Sequence, residues 1–85
     1  MREEIEEAYE IDFPGLLFMD GLDSAIIGVS HGSDVPVVAY SAHKILKNLV
    51  EQQGMGVHEA REFMSFNIDG AYMGVHTPLI VDDLF

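Results

Sequence analysis

Cysteine is absent from the 85-residue chain, so neither disulfides nor thiolate metal sites can support it. Basic residues are scarce. Four lysines and arginines face fifteen acids, for a net charge of −11. A surface of that sign repels polyphosphate backbones and argues against direct nucleic-acid binding. No apolar run approaches the ~20 residues of a membrane span. The opening MREEIEEAYE is acidic where a signal peptide would be basic. Both features lead to the expectation of a cytoplasmic protein with no membrane segment.

What is present is apolar surface, at 48% of residues. A chain of this length makes one domain at most, taken as residues 1–85 with a core over 20–81, and buries only about 60–65% of its unfolded surface. Some apolar area is therefore expected to be buried between copies, which predicts a homo-oligomer. The charge is uneven: −7 over residues 1–23, +1 over 24–50 and −5 over 51–85. A small anionic ligand would meet least repulsion in the middle segment. The acids elsewhere either keep the protein soluble or mimic nucleic acid towards a basic partner.

Residues 1–15 read as an acidic N-terminal helix or tail, with Ile5, Ala8 and Tyr9 at helical spacing up to the breaker Asp12-Phe13-Pro14-Gly15. Ala25–Val29 and Val35–Tyr40 have strand character and are joined by the polar turn Ser30–Asp34, which predicts a β-hairpin. Pro36 belongs at the start or edge of its strand. Ser41 is a candidate N-cap for a helix whose apolar stripe is Ala42, Ile45, Leu46, Leu49 and Val50, stopping at Gly54. A second helix starts near Val57, with Val57, Ala60, Met64, Ile68 and Ala71 on one stripe and Asn67 unexpectedly among them. Thr77–Val81 reads as a last strand that Asp82-Asp83 ends in water. The fold class expected is α+β: a small antiparallel sheet of about three strands with two helices on one face, ββααβ.

The tetrapeptide MGVH occurs twice, at Met55–His58 and Met73–His76. The first copy opens a helix and the second is a turn into a strand. Their flanks share no hydrophobic period, so they are not a repeat.

From Asp20 to Pro78 a pattern accumulates: Asp20 to Val29 (DGLDSAIIGV), Tyr40, Gly54-Met55, Glu59-Ala60, then FNIDGAYMGVHTP with Phe66-Asn67, Gly70-Ala71, Gly74 and Thr77-Pro78. In this the chain resembles a family of small tailed-bacteriophage accessory proteins over roughly residues 20–81. Two positions depart from the family pattern: Gly56, where serine is usual, and His58, where an acid or polar residue is usual. The resemblance implies phage origin and a role inside the infected bacterium. By association it also implies the work of other small phage proteins, which inhibit a host enzyme or sequester a host signalling molecule.

Nucleophilic catalysis finds little support. Ser30, Ser33, Ser41 and Ser65 lie in no nucleophile-elbow pattern, and His58-Glu59 lacks the second histidine of a zinc helix because Glu62 stands there. No catalytic residue, metal ligand or cofactor is assigned. Binding is the better use of the polar residues. The GVSHGSD turn, with His31 and Ser33, could form a small anion-holding nest next to Tyr40 and Lys44. Asn67 either ties down the chain around Gly70 to Gly74 or converges with Tyr72, His76 and Thr77 on a stacked, nucleotide-like ligand. The expected function is a non-enzymatic counter-defence protein that sequesters such a ligand in the host cytoplasm. The alternative is an acidic inhibitor that blocks the basic nucleic-acid channel of a host defence protein.

Overall fold

A computed structural model describes residues 1–9, 15–32, 35–68 and 74–83. In chain order the elements are α1 (Arg2–Tyr9), a 3-10 turn (Asp23–Ala25), β1 (Ile26–Ser30), β2 (Val37–Ser41), α2 (Ala42–Glu51), α3 (Val57–Phe63) running into a π-helical turn (Met64–Ile68), and β3 (Leu79–Val81). The α+β class, the three strands and the ββααβ order after α1 are as expected.

Strand β2 is the centre of the sheet, with order β1-β2-β3. All five of its residues are buried. Side chains alternate along a strand, so both faces of β2 are covered. Val38 and Tyr40 join the main core with Ile26, Ile45, Leu49, Ala60, Met64 and Ile68. Val37, Ala39 and Ser41 are buried on the opposite face.

The β1–β2 hairpin is antiparallel, and its register shifts between Ile26 and Gly28. Gly28 has φ +150, a conformation side-chain-bearing residues rarely adopt. The extra residue of this bulge is Ile27, which is exposed. An unbroken in–out alternation over Ala25–Val29 therefore does not hold.

One pairing departs from the wholly antiparallel sheet. β3 lies parallel to β2, with Ala39 opposite Leu79 and Ser41 opposite Val81. The reason is where the chain re-enters. After the helices it returns to the Pro36 end of β2, where the His76 ring Nδ1 lies 3.2 Å from the Pro36 carbonyl oxygen. Both strands then start at the same end, as a long crossover permits and a tight hairpin does not.

Helix α2 follows its sequence signals closely. The Ser41 hydroxyl accepts a hydrogen bond from the Lys44 N–H at 3.0 Å, capping the first turn. Gly54, at φ +74, turns the chain at the other end, and the Met55 N–H donates back to the Leu49 carbonyl at 3.0 Å. Ile45 and Leu49 are fully buried. Asn48 is buried beside them and fully engaged. Its amide donates to the Ser24 Oγ at 2.9 Å and the Gln52 Oε1 at 3.1 Å, and its Oδ1 accepts from Gln53.

The second helix was expected to run as one apolar stripe from Val57 to Ala71. Instead the α-helical winding ends at Phe63 and widens to a π turn. Ala60, Met64 and Ile68, four apart, stay in the core, whereas Val57 is 54% exposed. In the wider i→i+5 winding, a residue four positions on returns to the same face and one three positions on rotates away. Asn67, three after Met64, is consequently exposed rather than lodged on the stripe. Ala71 lies outside the described residues.

The acidic N-terminal segment forms a helix and packs along β1. Ile5 is buried in the core. Arg2 holds one end, reaching Glu6 at 2.8 Å and Asp23 at 3.2 Å with its guanidinium 4.6 Å from the Phe18 ring centre. At the other end the Tyr9 hydroxyl and His31 Nε2 are 2.8 Å apart.

Candidate functional site

Of the eight residues singled out from sequence, the six that are described do not gather in one place. Ser33 and Tyr72 lie outside the described residues. Tyr40 is fully buried, and its hydroxyl accepts the Met19 N–H at 2.8 Å, so it supports the core and cannot meet a ligand. Burial pushes its phenol above the ordinary value, with the Met19 hydrogen bond opposing. His31 pairs with Tyr9 at the end of α1. His76 is half-buried between the Pro36 carbonyl and Gly15, where an added Cβ would come within 3.2 Å of the imidazole. The Thr77 hydroxyl donates to the Gly74 carbonyl at 2.6 Å. Both side chains thus fasten the return into β3. Asn67 is exposed on the π turn, and Lys44 is exposed on α2. The described part of the second MGVH copy, Gly74 to His76, is the turn expected of it, with Gly74 at φ +92.

A recess among the described residues lies elsewhere. Ala42, His43 and Leu46 of α2, Arg61 of α3, Met64 and Ser65 of the π turn, and Ile80 and Asp82 at β3 enclose a groove of about 770 Å³. That volume is in the range of small-molecule sites. Its floor is apolar, through Leu46, Met64 and Ile80. Its rim carries two potential cations, His43 and Arg61, against Asp82. Arg61 is exposed and has no ion-pair or hydrogen-bond partner among the described residues. A planar guanidinium in that position can fork onto a phosphate or carboxylate and stack on a flat ring.

Asp83, expected to end β3 in water, is instead partly buried and hydrogen-bonded. Its carboxylate accepts from the Ser41 hydroxyl at 2.5 Å and from the His43 N–H at 3.4 Å. It thereby joins the end of β3 to the first turn of α2, where the helix dipole favours an anion. The Ser41 hydrogen bond, chiefly, holds its pKa below the ordinary value of 3.8, with help from the His43 N–H. A carboxylate with a depressed folded pKa contributes stability that is complete above the unfolded value and lost as pH falls through the folded one. The wild-type protein should therefore lose urea resistance below about pH 4 more steeply than Asp83→Asn. Unfolding midpoints measured from neutral pH downwards would check this; parallel curves for the two proteins would refute the capping role.

A second, smaller recess of about 290 Å³ lies on another side of α2, bordered by Ser24, Lys44, Lys47, Asn48, Glu51 and Gln52. Sequence reasoning singled out Lys44 but missed Arg61 and Asn48. The signals were there. Arg61 is one of only four basic residues, and Asn48 falls beside Leu49 on the apolar side of α2.

Among the described residues no group of three His, Asp or Glu could hold a metal ion, and no helix is long and apolar enough to cross a membrane. No protein-family model, curated protein or solved structure matches the chain.

Proposed function

We propose that this protein is a non-enzymatic binder that sequesters a small nucleotide-like anion, with the groove between α2, the π turn and β3 as its site. The observation that carries the reading is Arg61. In a chain of net charge −11, an arginine free of described partners stands over an apolar floor. Arg61 and His43 would meet a phosphate or an electron-rich edge, and Leu46, Met64 and Ile80 would take the face of a base. Asp82 opposes a second phosphate nearby and favours a donor group such as a ribose hydroxyl or an exocyclic amine.

The resemblance to tailed-phage accessory proteins supports placing this activity in the cytoplasm of an infected bacterium, as counter-defence against a host nucleotide signal. Self-association is part of the reading. Phe66 is 86% exposed and Val75 70% exposed, and side chains of that kind gain from burial against another copy. Isothermal titration with cyclic di- and trinucleotides and ADP-ribose derivatives tests the proposal. Saturable heat with one class, and recovery of that ligand intact after denaturation, is the expected result. No heat with any of them, or a chemically altered ligand, would defeat it.

The acidic-inhibitor reading draws on α1, where Glu3, Glu4, Glu6 and Glu7 are all exposed. A complex made through that face with a basic channel would weaken steeply with salt, since exposed charges are screened within about 10 Å at 0.1 M salt. Binding in the groove, which includes apolar contact, would respond less.

A further inference from the structure

We infer that the smaller recess beside α2 is a separate oxyanion site, suited to inorganic phosphate or a phosphate monoester. The argument starts from where the positive charge lies. Arg2 is engaged by Glu6 and Asp23, and Arg61 stands at the groove. The two remaining basic side chains, Lys44 and Lys47, both border this one recess. The Lys44 ammonium has no partner among the described residues, and Lys47 reaches Glu51 only at 3.9 Å, with both side chains more than half exposed.

The floor is built as well as charged. Asn48 is 3% exposed, and its amide donates to the Ser24 Oγ at 2.9 Å. Ser24 therefore accepts from Asn48 with one lone pair, and its hydroxyl, which borders the recess, keeps a proton to donate. Gln52 and Gln53 fix the Asn48 amide from the other side. Two ammonium groups and a hydroxyl, all short of acceptors, match the several acceptor oxygens of a tetrahedral anion. Glu51 subtracts one charge, so the recess keeps a net +1 from its side chains. At about 290 Å³ it has ample room for a phosphoryl group. The larger groove lies on another face of α2, so this site stands or falls independently of the function proposed above.

The test uses the full chain, labelled for amide NMR and titrated with inorganic phosphate against chloride at matched ionic strength. Saturable shifts at Ser24, Lys44 and Lys47 with phosphate alone are expected. The double variant Lys44→Gln/Lys47→Gln should weaken that affinity by about tenfold or more, and Arg61→Glu should leave it unchanged. Both lysines are exposed, so the double variant should keep its fold, visible as an otherwise unchanged spectrum. Adenosine monophosphate separates the sources: movement of the same three residues indicates recognition of the phosphoryl group alone. Shifts that fail to saturate, that chloride reproduces, or that survive the double substitution would overturn the assignment. So would adenosine monophosphate perturbing Leu46 and Ile80 while phosphate leaves Ser24, Lys44 and Lys47 unmoved, an outcome that would spare the groove.

Discussion

Tyr40→Ala is expected to cost about 3–5 kcal/mol of folding stability, the range for deleting a large buried aromatic side chain. A domain of this size has only about 4–13 kcal/mol in total. The variant should therefore melt roughly 15 °C lower or more, and part of it should be unfolded at ambient temperature. The effect is large because Tyr40 is fully buried in the central strand and is also the polar anchor of the segment before β1. Tyr40→Phe separates the two contributions. It keeps the ring and removes the oxygen that accepts the Met19 N–H, at a cost of about 1–3 kcal/mol for a poorly solvated donor left unpaired. Thermal and urea unfolding of the two variants would measure both. Equal losses would mean that the hydroxyl carries the whole effect, and no loss in Tyr40→Phe would mean that water replaces it.

Reversing the charge at the groove should have the largest functional effect. Arg61→Glu is expected to weaken nucleotide-like ligands roughly 10–100-fold, since a hydrogen bond to a charged group contributes about 1.5–3 kcal/mol. The unfolding midpoint should barely move, because Arg61 is exposed and holds nothing else among the described residues. Titration calorimetry and a melting curve on the same preparation would show this split. A variant that binds as well as the wild type would remove the groove from consideration. A variant that also melts early would make Arg61 a structural residue.

Much of the architecture was legible because it is local. Ser41 reads as an N-cap since a serine before an apolar stripe has a backbone N–H to accept three residues on, and Lys44 supplies it. Gly54 reads as a helix stop because only a residue tolerant of positive φ turns the chain there cheaply. The hairpin is visible as two β-rich runs around a polar turn. The candidate site was much less legible. Asn67, Tyr40, His76 and Thr77 were reasonable polar choices, yet Tyr40 and His76 spend their polar atoms on the backbone of distant segments, and Thr77 spends its hydroxyl on the Gly74 carbonyl. Those partners lie up to 40 residues away along the chain, beyond the reach of any periodicity.

The π turn shows the same limit from another side. Ala60, Met64, Ile68 and Asn67 fit one α-helical face on paper, and a single change of winding after Phe63 keeps the first three in the core and turns Asn67 outward. Asp83 was read as a solvated end, whereas the parallel register of β3 delivers it to the first turn of α2.

By itself the sequence determined the class of fold, the order of its elements, the ends of α2 and the sign of the surface, because each follows from neighbours within a few residues or from composition. Only the tertiary structure decided the direction of β3, the burial of Tyr40 and the meeting of His43, Arg61 and Ile80 around one groove. These depend on where a crossover re-enters the sheet and on which side chains are then closest, and contacts between distant segments leave no local pattern to read.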